Sequence, residues 1–398
     1  MAKAAGALEG VRVLDFTGVV AGPFGTRLMA DLGAEVVKVE PPHGDLLRGV
    51  PPRVRSGDTK VSPYFGQINC GKKSISVDLK NPKAIDLILK LVVNSDVVIQ
   101  NFRPGVMRGF GLGYDDLVKH KADIIYASIS GYGQYGPSSG LAAYAPIIHA
   151  ASGYDLAVLS YQDNQDKPLN GANATADYLA ASLAMGAITA ALLKREKTGQ
   201  GEEIDISMME VMQNILAYEV HEQQFKAKRE RPNYGPVRTK DGYLIVNPIS
   251  PKNFSDLANA VGHPEWLERF PLNTPDRVEN WSLLMRELEK WTLQRSSVEC
   301  ESIIREGGCP CSRYREVWES MHDEQVEARQ GVVEIKEGEA TYLIPTTPLR
   351  LMQSEAGPKP FVPRLGGDNL EVLQSWLGFS EAQVRELEES GLLFAAKK

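Results

Sequence analysis

The first third of the chain alternates short β-branched runs with amphipathic stretches, and few folds accommodate that alternation. Residues 11–16 (Val-Arg-Val-Leu-Asp-Phe) read as a strand entering a glycine-bearing turn. The spacing of Phe24, Leu28 and Leu32 predicts a helix with those three on one face. Gly33 ends it, and residues 35–39 form the next strand. Asn81 and Pro82 supply a cap and a first position for a helix carrying Ile85, Ile88, Leu89 and Val92 along one side. Residues 97–99 and 124–127 give further strands. The order predicts an α/β fold, a parallel sheet with helices on both faces.

Further along, residues 132–140 read as a loop and residues 178–194 as a long helix. Basic residues and Gly199 close that helix, as the macrodipole and C-cap chemistry require. A strand at 203–207 and a helix to about residue 224 follow. The basic stretch 226–231, ahead of Pro232, reads as a linker. Beyond it, a strand at 243–246 and helices near 253–261, 281–291 and 298–304 predict a small α+β domain. Residues 345–363 are proline-punctuated and extended, and Ser380 with Gln383 has capping-box spacing for a last helix. The expected division is 1–225 for the large domain, 226–330 for the small domain with its linkers, and 331–398 for a C-terminal segment.

With 398 residues, two domains are expected. A net charge of −7 argues against nucleic acid as a partner, since phosphate recognition leaves a basic patch. No apolar run was expected to reach the ~18 residues that span a bilayer. The first ten residues lack a secretion signal, so no membrane and a cytoplasmic location are expected. Four cysteines make no disulfide framework, and the scattered histidines offer no metal site.

The turn between the first strand and helix carries Gly18, Gly22 and Gly25, with Glu40 ending the second strand. A phosphate-binding unit has this outline, with helix amides facing an anion and an acid on a ribose hydroxyl. The glycines, however, fall at positions one, five and eight instead of one, three and six. A tight strand-to-helix turn accounts for them equally.

Several strings taken in order resemble the class III CoA-transferase (CaiB/BaiF) family. They are residues 13–17 with Ala21-Gly22-Pro23, residues 31–40, Asn69 with residues 71–75, residues 101–105, residues 130–133, residues 197–201 and residues 308–311. The resemblance implies a large Rossmann-type domain, a small domain on two linkers, a C-terminal segment returning to the large domain, and an interlocked homodimer. It implies acyl-CoA and carboxylic acid substrates, the CoA thioester being a substrate, with no permanently bound cofactor. Its catalytic aspartate falls on Asp177. By the same resemblance Val19 and Val20 meet the pantetheine arm, Lys72, Lys73, Asn101, Phe102 and Arg103 line the nucleotide end, Arg108 is a further contact, and Tyr144 sits near the thioester.

Taken alone, Asp177 is either a helix cap or a nucleophile whose charge the helix N-terminus favours. Val20 and residues 247–250 depart from the formyl-CoA:oxalate pattern, and Val20 suggests a bulkier acyl group. Residues 366–369 depart from the family pattern without a functional account. Arg48, Arg53, Arg55 and Arg238 are candidates for the second carboxylate of a dicarboxylic acyl group such as succinyl. Two alternatives stand beside the transferase: an α-methylacyl-CoA racemase, which needs a histidine in the region where this chain has Ala142-Ala143-Tyr144, His149 reading as packed inside a helix, and an inactive partner subunit.

Overall fold

The computed structural model describes residues 5–162, 165–225 and 231–396, so the expected linker lies, but for Arg231, outside the described residues. The chain forms a larger unit, Met1–Ala217 with Glu327–Lys398, and a smaller one, Tyr218–Val326.

The larger unit is built on a six-stranded sheet of β1 (Arg12–Asp15), β2 (Glu35–Glu40), β3 (Lys73–Ser76), β4 (Val97–Gln100), β5 (Ile125–Ser130) and β6 (Glu202–Ser207). Its order is β3-β2-β1-β4-β5-β6, and every neighbouring pair is parallel. Successive strand residues face opposite ways, so the apolar runs feed two cores. Val13, Val36, Val97, Ile99 and Ile125 meet Met29, Ala180, Ala184 and Ile188 on one face. Leu14, Val37, Ile75, Val98 and Tyr126 meet Ile88, Leu91, Leu373 and Trp376 on the other.

Strand β3 escaped the sequence reading because three of its four residues, Lys73, Ser74 and Ser76, are polar, which an edge strand tolerates. Residues 366–369 now have a structural account, since they dock on that edge. Asp368 Oδ2 accepts from the Ser74 amide at 2.7 Å, and Asn369 Oδ1 from the Ser76 amide at 3.2 Å.

The predicted cap at Asn81 is present, its side chain accepting from the Lys83 amide at 3.1 Å, and Ser380 with Gln383 closes a capping box. The long helix runs Thr175–Thr198, three residues earlier than expected, and is long and apolar enough by composition to cross a membrane. That corrects the reading that no such run exists. Here Ala176, Ala180, Ala184 and Ile188 bury one stripe in the sheet's core. The helix Pro23–Asp31 packs beside it so closely that a Cβ on Gly25 would lie 2.5 Å from the Ala181 carbonyl oxygen.

In the smaller unit a three-stranded antiparallel sheet (Val237–Arg238, Tyr243–Val246, Cys311–Arg313) shares a core with the helices Pro251–Ala260, Arg277–Thr292 and Ser297–Glu306. The four cysteines are free thiols.

Candidate active site

In a doubly wound sheet the strand order reverses between β1 and β4, and the loops leaving their carboxyl ends part to make a crevice. A cavity of about 340 Å³ occupies this place. Its walls come from Thr17, Gly18 and Val19 after β1, from Asn101, Phe102 and Arg103 after β4, and from the ends of β2 and β5. Asp177, Tyr144, Ala142, Ala143 and Met208 complete it.

The turn after β1 is braced from three directions. Asn101 donates through Nδ2 to the Gly18 carbonyl at 2.8 Å and accepts the Gly18 amide through Oδ1 at 2.9 Å. Asp45 accepts the Val19 amide at 3.2 Å, holding a β-branched residue at φ 64°, in the left-handed region. Lys38, buried and paired with Asp45 at 2.9 Å, donates to the Thr17 carbonyl at 2.7 Å. From beneath, Asp15 accepts from the Thr17 amide at 2.9 Å and the Thr26 hydroxyl at 2.6 Å. Burial opposes the Asp15 charge, but Lys72, Lys38 and the two threonine hydroxyls outweigh it and hold the carboxyl at about 2.

The structure brings Val19, Asn101, Phe102, Arg103, Tyr144 and Asp177 together around one cavity. Four other expected residues lie off its walls. Lys72 is fully buried under the turn and directs its ammonium to Asp15 at 3.0 Å, Asn69 at 2.8 Å and the Pro23 carbonyl at 2.8 Å. All three of its donors are used, so it reaches no phosphate. Lys73 pairs with Glu35 and Glu371 at the sheet edge. Arg108 is exposed, 3.9 Å from Asp115. Val20 is buried with Leu47, Phe65 and Ile68, which removes the argument for a bulkier acyl group. Arg48, Arg53 and Arg55 are not cavity residues either, and Arg48 is bound to Glu40 at 2.6 Å.

Glu40 decides the ambiguous glycine turn. Its carboxylate accepts from Arg48, from the Ser74 hydroxyl at 2.6 Å and from the Asp45 amide at 3.0 Å, leaving little for a ribose. Glycine spacing here serves close packing: a Cβ on Gly22 would strike the Thr17 side chain, and Gly25 admits the neighbouring helix.

Among the described residues the cavity wall holds three carboxylates, Glu40, Asp45 and Asp177. The first two are bonded to cations. Asp177 is half-buried in the first turn of its helix, and its own backbone amide and those of Ala21 and Ala145 face its carboxylate. Burial raises its pKa; these amides offset part of the rise, leaving it at about 6. Desolvation is therefore the dominant influence on this carboxyl. Asp177 is not the cap: Ala174 holds that position without a side-chain bond. Instead His149 Nε2 accepts the Ala176 amide at 3.2 Å.

Sequence reasoning missed Asp45 and Lys38, and the bond that His149 makes from within its helix, because each acts through a partner distant along the chain. It also missed the walls at Ala142, Ala143 and Met208, which carry no motif of their own. Among the described residues no cluster of three or more His, Cys, Asp and Glu side chains is placed to hold a metal ion.

Comparisons with known proteins show the family. The model of CoA-transferase family III matches residues 8–369. A succinyl-CoA:glutarate CoA-transferase of Mus musculus is 33% identical over 407 residues, covering 97% of this chain and 90% of that protein. A succinyl-CoA:mesaconate CoA-transferase of Haloarcula hispanica is 30% identical, covering 92% of this chain and 96% of that one. A formyl-CoA:oxalate CoA-transferase of Streptomyces coelicolor is 30% identical, covering 97% and 99%. Among solved structures, a CaiB/BaiF family protein from Brucella suis superposes with a TM-score of 0.81 at 27% identity, over 94% of this chain and all of that one.

Proposed function

This chain belongs to CoA-transferase family III, and we propose that it moves CoA from an acyl-CoA donor to a carboxylic acid through covalent intermediates on Asp177. The observation that carries this reading is that Asp177 alone among the cavity's carboxylates is held by backbone amides in place of a cation.

A nucleophilic carboxylate must be ionised, desolvated and uncommitted. Asp177 attacks the thioester carbonyl; the C–S bond breaks, releasing CoA thiolate and leaving a mixed anhydride. The thiolate then attacks the aspartyl carbonyl. That releases the donor acid as its carboxylate and leaves CoA joined to Asp177 as a thioester. An acceptor carboxylate repeats the sequence in reverse, regenerating Asp177 and a new acyl-CoA. No proton is gained or lost overall. The Ala21 and Ala145 amides, which face the carboxylate, serve the oxyanion that forms on the aspartyl carbonyl carbon.

Succinyl-CoA is the proposed donor, supported by the names of two relatives. With the sequence candidates off the cavity wall, Arg103 and His43 are the cavity side chains nearest in character to a dicarboxylate site. Association as an interlocked homodimer and a cytoplasmic location belong to the same proposal; sedimentation of the purified chain and cell fractionation test them. Against a racemase, the cavity presents Ala142, Ala143 and Tyr144 in the region where that chemistry needs a histidine, and His149 Nε2 is occupied by the Ala176 amide.

The test is a panel of carboxylic acids incubated with succinyl-CoA, with thioesters followed by mass spectrometry. New acyl-CoA formation that disappears in Asp177→Ala, with the variant still folded, is the expected result. Retained transfer by that variant removes Asp177 from the role. Exchange of the α-proton in deuterated water without transfer supports the racemase instead.

A further inference from the structure

The long helix begins without a side-chain cap of its own. Ala174 occupies the cap position and offers none, while the Asp177 carboxylate faces its own amide in the first turn. Four amides at any helix start need acceptors from elsewhere. The Ala176 amide, one residue before Asp177, finds its acceptor 27 positions upstream, on His149 Nε2 at 3.2 Å. His149 is 8% exposed, belongs to the helix Ala145–Ala151, and packs its ring 5.3 Å from that of Tyr154. The same short helix starts at Ala145, whose amide faces the Asp177 carboxylate.

We propose that His149 is a positioning residue for Asp177, a cap supplied by a neighbouring helix that fixes the nucleophile's first turn against the Ala145 amide. The proposal rests on the reading of Asp177 as nucleophile and adds how that residue is aimed. The imidazole accepts through Nε2, so it is neutral and carries its proton on Nδ1. Two contacts join the short helix to the first turn of the long one: the Ala145 amide faces the Asp177 carboxylate, and the Ala176 amide donates to His149 Nε2 at 3.2 Å. Losing the second frees the first turn to rotate while the rest of the long helix stays packed on the sheet. Loss of orientation of this kind lowers the rate of the chemical step more than it weakens CoA binding.

Two measurements on the full chain test it. Nitrogen-15 NMR of labelled histidine, with the His149 signals assigned by their loss in His149→Gln, is expected to show the Nδ1–H tautomer; an Nε2–H tautomer overturns the proposal. In kinetics, His149→Leu, which has no acceptor, is expected to lower kcat about 10- to 100-fold with KM for the acyl-CoA within about twofold. His149→Gln, which places an oxygen acceptor at similar reach, is expected to restore most of the rate. Unchanged kcat in the leucine variant, or equal loss in both, overturns it. If the leucine variant does not fold, the tautomer and the glutamine variant decide. Full activity in Asp177→Ala sinks the nucleophile reading while leaving the tautomer result intact, so the two failures are distinguishable.

Discussion

Asn101 and Gly18 exchange two hydrogen bonds, at 2.8 and 2.9 Å, across the crevice where the strand order reverses. One side chain thus ties the loop leaving β4 to the turn leaving β1, and the cavity lies between them. Asn101→Ala removes both bonds and leaves the glycine peptide without its partner. CoA affinity is expected to fall by up to about 30-fold, the consequence of two bonds worth roughly 1 kcal/mol each, with kcat altered less. Calorimetric titration with CoA checks it.

Lys72 supports the same turn from below. In Lys72→Met the Asp15 carboxylate stays buried without its nearest ammonium, a loss of about 3–5 kcal/mol in unfolding free energy. In the native protein, Asp15 is depressed to about 2 from an ordinary 3.8, so its contribution is complete above pH 4 and lost as the pH falls towards 2. In the variant, acid protonates the stranded carboxylate and relieves the penalty. The deficit against wild type, followed by denaturant titration, therefore narrows as the pH is lowered.

Gly25 sets the distance between the helix Pro23–Asp31 and the long helix that carries Asp177. Gly25→Ala places a methyl 2.5 Å from the Ala181 carbonyl oxygen, one turn beyond Asp177. The helices must separate, at about 1–3 kcal/mol of stability, and kcat is expected to fall with them. Thermal unfolding and steady-state kinetics on one preparation report both effects.

Much of this arrangement was legible in the sequence. Apolar runs such as residues 11–16 and 97–99 announced strands buried on both faces, and the Asn81 and Ser380 caps were readable because capping is local. The edge strand β3 was not, since its burial depends on a segment arriving from 366–369. In the site, the residues flanking the strand ends were found by their motifs. Lys72 and Val20 were placed at the ligand when both are buried beneath or behind the turn. Sequence spacing locates a residue on a turn, whereas the direction of its side chain depends on partners such as Asp15 and Phe65.

The raised pKa of Asp177 predicts a specific pH profile. The ionised form is the nucleophile, so kcat/KM for the acyl-CoA is expected to climb about tenfold per pH unit below pH 6 and level off above it. A plateau reached already near pH 4 would mean that desolvation does not govern this carboxylate.

The central claim is that Asp177 exchanges covalent bonds with the acyl group and then with CoA. Mixing the protein with succinyl-CoA, trapping with hydroxylamine or borohydride and mapping peptides by mass tests it most directly. The account predicts a modification on the peptide bearing Asp177 that is missing without the donor. An unmodified Asp177 peptide in a preparation that transfers CoA contradicts it.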